Sequence, residues 1–148
     1  MEQLEEYVKM TTRREFLNEL VRDNDLIVEE DLFELKFGSR STWIIKRTGI
    51  EKIQYNNNIR VMFANQVMER DFAVIKAMAS RGDLGDEEDF VTIETYGSAW
   101  LEKNSKNNYI AEMAEKRALA RAVLKLCGAY KHGVYGEDEA DDFKQKKN

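Results

Sequence analysis

Residues 108–127 read Asn-Tyr-Ile-Ala-Glu-Met-Ala-Glu-Lys-Arg-Ala-Leu-Ala-Arg-Ala-Val-Leu-Lys-Leu-Cys, and Gly128 follows. Alanine, leucine, lysine, glutamate and arginine, the residues that lose least on entering a helix, make up most of this run. Gly128 stands where a left-handed C′ residue is wanted. The run predicts a long helix. Ala114, Ala118 and Ala122 recur at four-residue spacing and permit close approach to a neighbouring layer. Leu119, Val123 and Leu126 add apolar surface. Arg117, Arg121 and Lys125 share a face about 80° wide, with Lys116 beside them, because each residue advances roughly 100° around the axis.

Working upstream, three stretches predict strands: 59–68, 71–80 and 89–97. They are rich in Val, Ile, Phe and Thr, and in the last Phe90, Thr92, Glu94 and Tyr96 alternate with Val91, Ile93 and Thr95. The connections are short, so neighbouring strands are antiparallel. Further upstream, residues 48–55 predict a short helix with Ile50 and Ile53 facing inward and Thr48 as its cap. Asn56-Asn57-Asn58 is a turn. Residues 41–45 predict a strand and Gly38-Ser39 a turn, whereas 31–37 mix strand alternation with helical spacing. Residues 2–22 have helical periodicity, and Thr12 followed by Glu15 suggests a capping box with a break near residue 11. The fold class expected is α+β: N-terminal helices, an antiparallel meander of three to four strands, and a long C-terminal helix packed on the sheet. Residues 1–136 form one core and 137–148 a polar, mobile tail.

The chain has 148 residues, no proline, one cysteine and one histidine. That length suffices for one well-packed core. No apolar run reaches membrane-spanning length, so no membrane association is expected. The acidic, amphipathic beginning is unlike a secretory signal. The single Cys127 cannot form an internal disulfide, which points to the cytoplasm. The net charge of −5 is unevenly spread. Residues 38–80 and 98–131 each carry +4, among acidic stretches 1–37 (−6), 81–97 (−5) and 132–148 (−2). A local field, rather than total charge, attracts a phosphate backbone.

Few residues suit catalysis. Hydroxyl or thiol nucleophiles need a histidine base, and the only histidine, His132, is expected in an exposed loop. Cys127 is expected to be a small buried side chain. No His/Cys spacing suits zinc, and no glycine-rich phosphate loop is present. No cofactor, metal or enzymatic activity is therefore expected. The acids Asp83, Asp86, Glu87, Glu88 and Asp89, and those from Glu137 to Asp142, keep a small magnesium-dependent nuclease open as an alternative. A non-catalytic interaction or assembly module is the other. The second basic segment sets Lys46, Arg47, Lys52 and Arg60 among Trp43, Tyr55 and Phe63, a mixture that can neutralise phosphates and stack bases. Phe63 is more simply read as core.

Residues 112–139, with Lys116, Arg117, Ala118, Leu119, Arg121 and Gly128, resemble the end of the annealing core in the Rad-fifty-two superfamily and its Sak, Erf and Red-beta phage relatives. Residues 43–50 are weakly similar to that family's earlier strand-then-helix region. Arg121 stands one residue later than in the eukaryotic pattern. The resemblance implies an ATP-independent single-stranded DNA-binding and annealing protein of phage-type homologous recombination, in a bacterial cytoplasm. It implies a homo-oligomeric ring or filament, with a phage exonuclease or host single-strand-binding protein as partner. The implied DNA contacts are Lys116, Arg117 and Arg121 first, with Lys125, Lys46, Arg47, Lys52 and Arg60 as further basic candidates.

Overall fold

A computed structural model of the chain describes residues 2–82, 90–105 and 108–140, with side chains in the first helix described from Thr12 onward. The acids at 83–89, 141 and 142 lie outside the described residues. The structure is α+β, and what was expected as one core forms two compact units, Met1–Ile53 with Cys127–Asn148, and Gln54–Leu126. No helix among the described residues is long and apolar enough to cross a membrane.

The first unit opens with α1 (Glu2–Asn24), followed by β1 (Leu32–Phe37), β2 (Arg40–Ile45) and α2 (Arg47–Asn56), whose last residues belong to the second unit. α1 is one uninterrupted helix. The break expected near residue 11 is absent, because residues 2–24 contain neither glycine nor proline to enforce it. β1 and β2 form a hairpin from Leu32↔Ile45 to Phe37↔Arg40, closed by Gly38 at φ 65°. β6 (Val134–Gly136), which the sequence reading missed, adds parallel to β2 with Trp43 opposite Val134. Consecutive residues of a strand point to opposite faces. Ile44 and Ile45 are both fully buried, so the central strand is covered on both sides. Leu17 and Leu20 of α1, Ile50 and Ile53 of α2, and Leu32 and Val134 complete this core.

Side chains tie the unit's distant segments together. Arg13 donates from Nε to the His132 carbonyl at 2.8 Å, and the Phe16 ring stacks on the His132 imidazole at 4.4 Å. His132 is thus half-buried in the 3-10 turn Tyr130–His132 rather than loose in solvent. The first N–H of α2, on Arg47, donates to Glu137 Oε1 at 2.6 Å, while Thr48, the expected cap, donates its hydroxyl to the Glu30 carbonyl. A carboxylate at this helix end also meets the positive end of the helix dipole. Residues 137–140 form a helical turn with Ala140 buried.

The second unit is a meander of β3 (Arg60–Met68), β4 (Phe72–Arg81) and β5 (Val91–Trp100), covered on one face by α3 (Ile110–Leu126). The long helix is therefore internal, with the 3-10 turn and β6 after it. Alternation makes the layer: Ala73, Ile75, Ala77 and Ala79 of β4 and Thr95, Gly97 and Ala99 of β5 are buried towards α3. Ala114, Ala118 and Ala122 are the helix's contribution. These small residues let backbone meet backbone. A Cβ on Gly97 would lie 2.1 Å from the Ala114 carbonyl oxygen and 2.3 Å from the Ala118 nitrogen. Thr95 Oγ1 donates to the Ala118 carbonyl at 2.8 Å.

Neither clashing atom can move without lifting the helix. Gly97→Ala is expected to destabilise the second unit by about 3 kcal/mol or more, the upper range for overpacking a core. Urea denaturation followed by circular dichroism measures this, and a shift below about 1 kcal/mol would contradict the close approach.

Candidate nucleic-acid interface

The close seating of α3 decides what its basic residues can reach. Among the described residues β5 is an edge strand, with β4 on one side and no strand on the other. Arg117 and Arg121, one helical turn apart, lean over that edge. Arg117 donates from Nη1 to the Ser98 carbonyl at 2.7 Å and from Nη2 to the Asn104 carbonyl at 2.5 Å. Arg121 Nη1 donates to the Tyr96 carbonyl at 2.8 Å. The guanidinium groups thus satisfy carbonyls that would otherwise invite another strand.

The eight basic candidates separate into committed and available groups. Arg117 is half-buried and holds β5 to the turn after it. Arg121 is exposed and uses one Nη in its hydrogen bond to Tyr96. The side chains of Lys116 (half-buried), Lys125 and Arg60 (both exposed) make no ion pair or hydrogen bond among the described residues. These five all lie in the second unit. In the first unit, Lys46 donates to the Glu29 carbonyl at 3.0 Å and lies 5.5 Å from the Phe33 ring centroid. Arg47 pairs with Glu51 one turn on at 3.1 Å. Lys52 is committed to Asp31, its Nζ 2.7 Å from Oδ2, and also donates to the Asp25 carbonyl.

Asp31 is 2% exposed. Burial alone would raise its pKa. Hydrogen bonds from Lys52, Thr48 and the Ile27 N–H, with the Lys52 charge, outweigh burial and hold it below the ordinary aspartate value. Lys52 is therefore a folding residue first.

The aromatic candidates also divide. Tyr55 is exposed, and Phe63, expected in the core, is 38% exposed because α3 covers β4 and β5 far more than β3. Trp43 is half-buried and lines a cleft of about 330 Å³ with Arg13, Arg14 and Glu34. Cys127 is half-buried. Among the described residues, no three His, Cys, Asp or Glu side chains are grouped to hold a metal.

The sequence reading passed over the sheet face opposite α3. It carries Tyr96, Ser98 and Trp100 of β5 beside Lys76, Val74 and Phe72 of β4. The signal was the i, i+2, i+4 spacing from Tyr96 to Trp100, hidden by ending the strand at Gly97. No protein-family model matches the chain, and no curated protein matches it significantly.

Arg117→Ala is expected to lower stability by about 1–3 kcal/mol, as for loss of charge-assisted hydrogen bonds. Lys125→Ala should change it by less than about 0.5 kcal/mol. Thermal melts of the two variants compare them directly. For Asp31, a depressed folded pKa means that its contribution is complete well above the unfolded value and is lost as pH falls below about 4. Urea midpoints measured from pH 7 to 3 should show a steeper acid loss for the wild type than for Asp31→Asn. Parallel curves would remove Asp31 from the account.

Proposed function

We propose that this chain is an ATP-independent single-stranded DNA-binding and strand-annealing protein, working in phage-type homologous recombination as an assembly of several copies. The observation carrying this reading is the cationic edge of α3. It is held rigidly on β5 at Gly97, with Lys116, Lys125 and the exposed Arg121 available to phosphates. In a chain of net charge −5, a preorganised cationic edge marks where an anionic polymer is attracted. Further support comes from the resemblance of residues 112–139 to the annealing proteins. The same resemblance suggests a bacterial cytoplasmic setting and an exonuclease or single-strand-binding protein as partner. Arg117 serves chiefly to position the edge, and Arg60 extends the basic surface of the unit.

A protein-assembly role has its own supporting observation. β3 is an edge strand with Met62, Phe63 and Met68 exposed, Met62 to 70%, and no charge between Arg60 and Glu69. Such an edge favours pairing with another chain. It serves self-assembly under the annealing reading and is the whole function under the alternative.

Fluorescence anisotropy with a labelled 20-nucleotide single strand and its duplex, across a salt series, separates the readings. The single strand is expected to bind more tightly. Each phosphate contact removed should reduce the log–log salt slope by about 0.7, so changing Lys116, Arg121 and Lys125 together to Ala should reduce it by about 2. Absence of single-strand binding at low salt would leave the assembly module.

A further inference from the structure

The annealing reading leaves open how a strand can be held yet remain able to pair. We infer that the open face of the β3–β4–β5 sheet is a base-stacking platform for single-stranded DNA, built on Tyr96 and Trp100 with phosphates carried past Arg121. The inference rests on the annealing reading and adds to it the surface that meets the bases.

Side chains at 96, 98 and 100 share the face opposite α3, and the antiparallel register places Lys76 beside Tyr96, Val74 beside Ser98 and Phe72 beside Trp100. Tyr96 is 49% exposed and Trp100 48%, although neither is in a loop. Both rings stand on a strand anchored from behind by α3. Trp100 is steadied further. Its ring packs at 5.6 Å on Phe72, and its N–H and carbonyl join the turn at 101–105, which Arg117 grips through Asn104. Ser98, small and half-buried, stands between the two rings on the strand.

Charge selects the occupant. Lys76 stands beside Tyr96, Lys103 Nζ lies 5.7 Å from the Trp100 ring centroid, and Arg121 reaches the outer edge of β5 at Tyr96 itself. The β3–β4 turn places Glu69 opposite Phe72, and one acid of β4 and β5, Glu94, shares the face. It lies on the far side of Tyr96 from Trp100, 3.9 Å from Lys76 Nζ, and ends the platform there. Rings with Lys76, Lys103 and Arg121 beside them suit bases joined by phosphates.

Spacing selects the form of the nucleic acid. Four residues of strand place Tyr96 and Trp100 about 13 Å apart. Stacked bases in a duplex strand rise only about 3.4 Å each. Bases lying flat on both rings are therefore not neighbours in the strand, and each must leave its own stack to meet its ring, which an intact duplex does not allow. Stacking uses the flat face of a base and leaves its hydrogen-bonding edge unoccupied. A strand bound this way is immobilised and still readable by a complement.

The test uses the full chain with two fluorescein-labelled probes, a 20-nucleotide oligo-dT and an abasic deoxyribose-phosphate strand of equal length. Tyr96→Leu and Trp100→Leu are each expected to weaken oligo-dT binding about fivefold or more, the lower end for one lost stack. Their affinity for the abasic strand should be unchanged. Tyr96→Phe and Trp100→Phe should recover oligo-dT affinity to within about twofold, because a phenyl ring still stacks. Unlabelled oligo-dT should quench the wild-type tryptophan emission, and Trp100→Phe should abolish that quench. Equal oligo-dT binding by the Leu variants and wild type would overturn the platform while leaving the annealing reading intact. A fall in sedimentation mass with unchanged affinity per protomer would also overturn it, making the face a contact between copies. If a Leu variant loses its cooperative unfolding transition, the quench decides: no Trp100-dependent quench overturns the platform. Failure of the wild type to bind either probe would remove the annealing reading, and the platform with it.

Discussion

Everything in the second unit depends on two backbones touching where β5 has no side chain. Gly97 lets α3 rest against the strand itself at Ala114 and Ala118. From that distance Thr95 reaches a helix carbonyl, and Arg117 and Arg121 reach strand carbonyls. A helix seated farther out by the size of a methyl group would break all these hydrogen bonds. The contact therefore sets both the packing of the layer and the location of the cationic edge.

That seating treats the two edges of the sheet differently. The β5 edge is occupied by guanidinium groups, whereas the β3 edge extends beyond the helix with Met62 and Phe63 exposed. A sheet that can be extended on one side only imposes a direction on anything that adds to it.

Much of this fold could be read from residue patterns. α3 announces itself through its composition and the glycine after it, and β5 through the alternation that starts at Phe90. Ambiguity over residues 31–37 ended in a strand because Leu32 pairs with Ile45 across a turn that was legible. What escaped depended on distance along the chain or on a residue with two meanings. Gly97-Ser98 looks like a turn, but the glycine is there for the helix and the strand runs on to Trp100. Three residues, Val134–Gly136, are too few to show a period. The basic candidates fall in both units, and a lysine left to solvent and a lysine holding Asp31 look the same in sequence. The acid that claims Lys52 lies 21 residues upstream. Likewise the carbonyls that engage Arg117 belong to the backbone, which no residue letter records.

The parallel partnership of β2 with β6 has a consequence for synthesis. The two strands come from opposite sides of the segment Gln54–Leu126, so a hairpin made early receives its third strand only after an entire second unit has been translated. Until then one side of the Ile44–Ile45 strand is unsealed. The intervening unit, whose meander and α3 pack on one another, can condense first and shorten the effective loop to be closed. The order of emergence from the ribosome thus favours a sequence in which the meander and α3 mature before the third strand closes on β2.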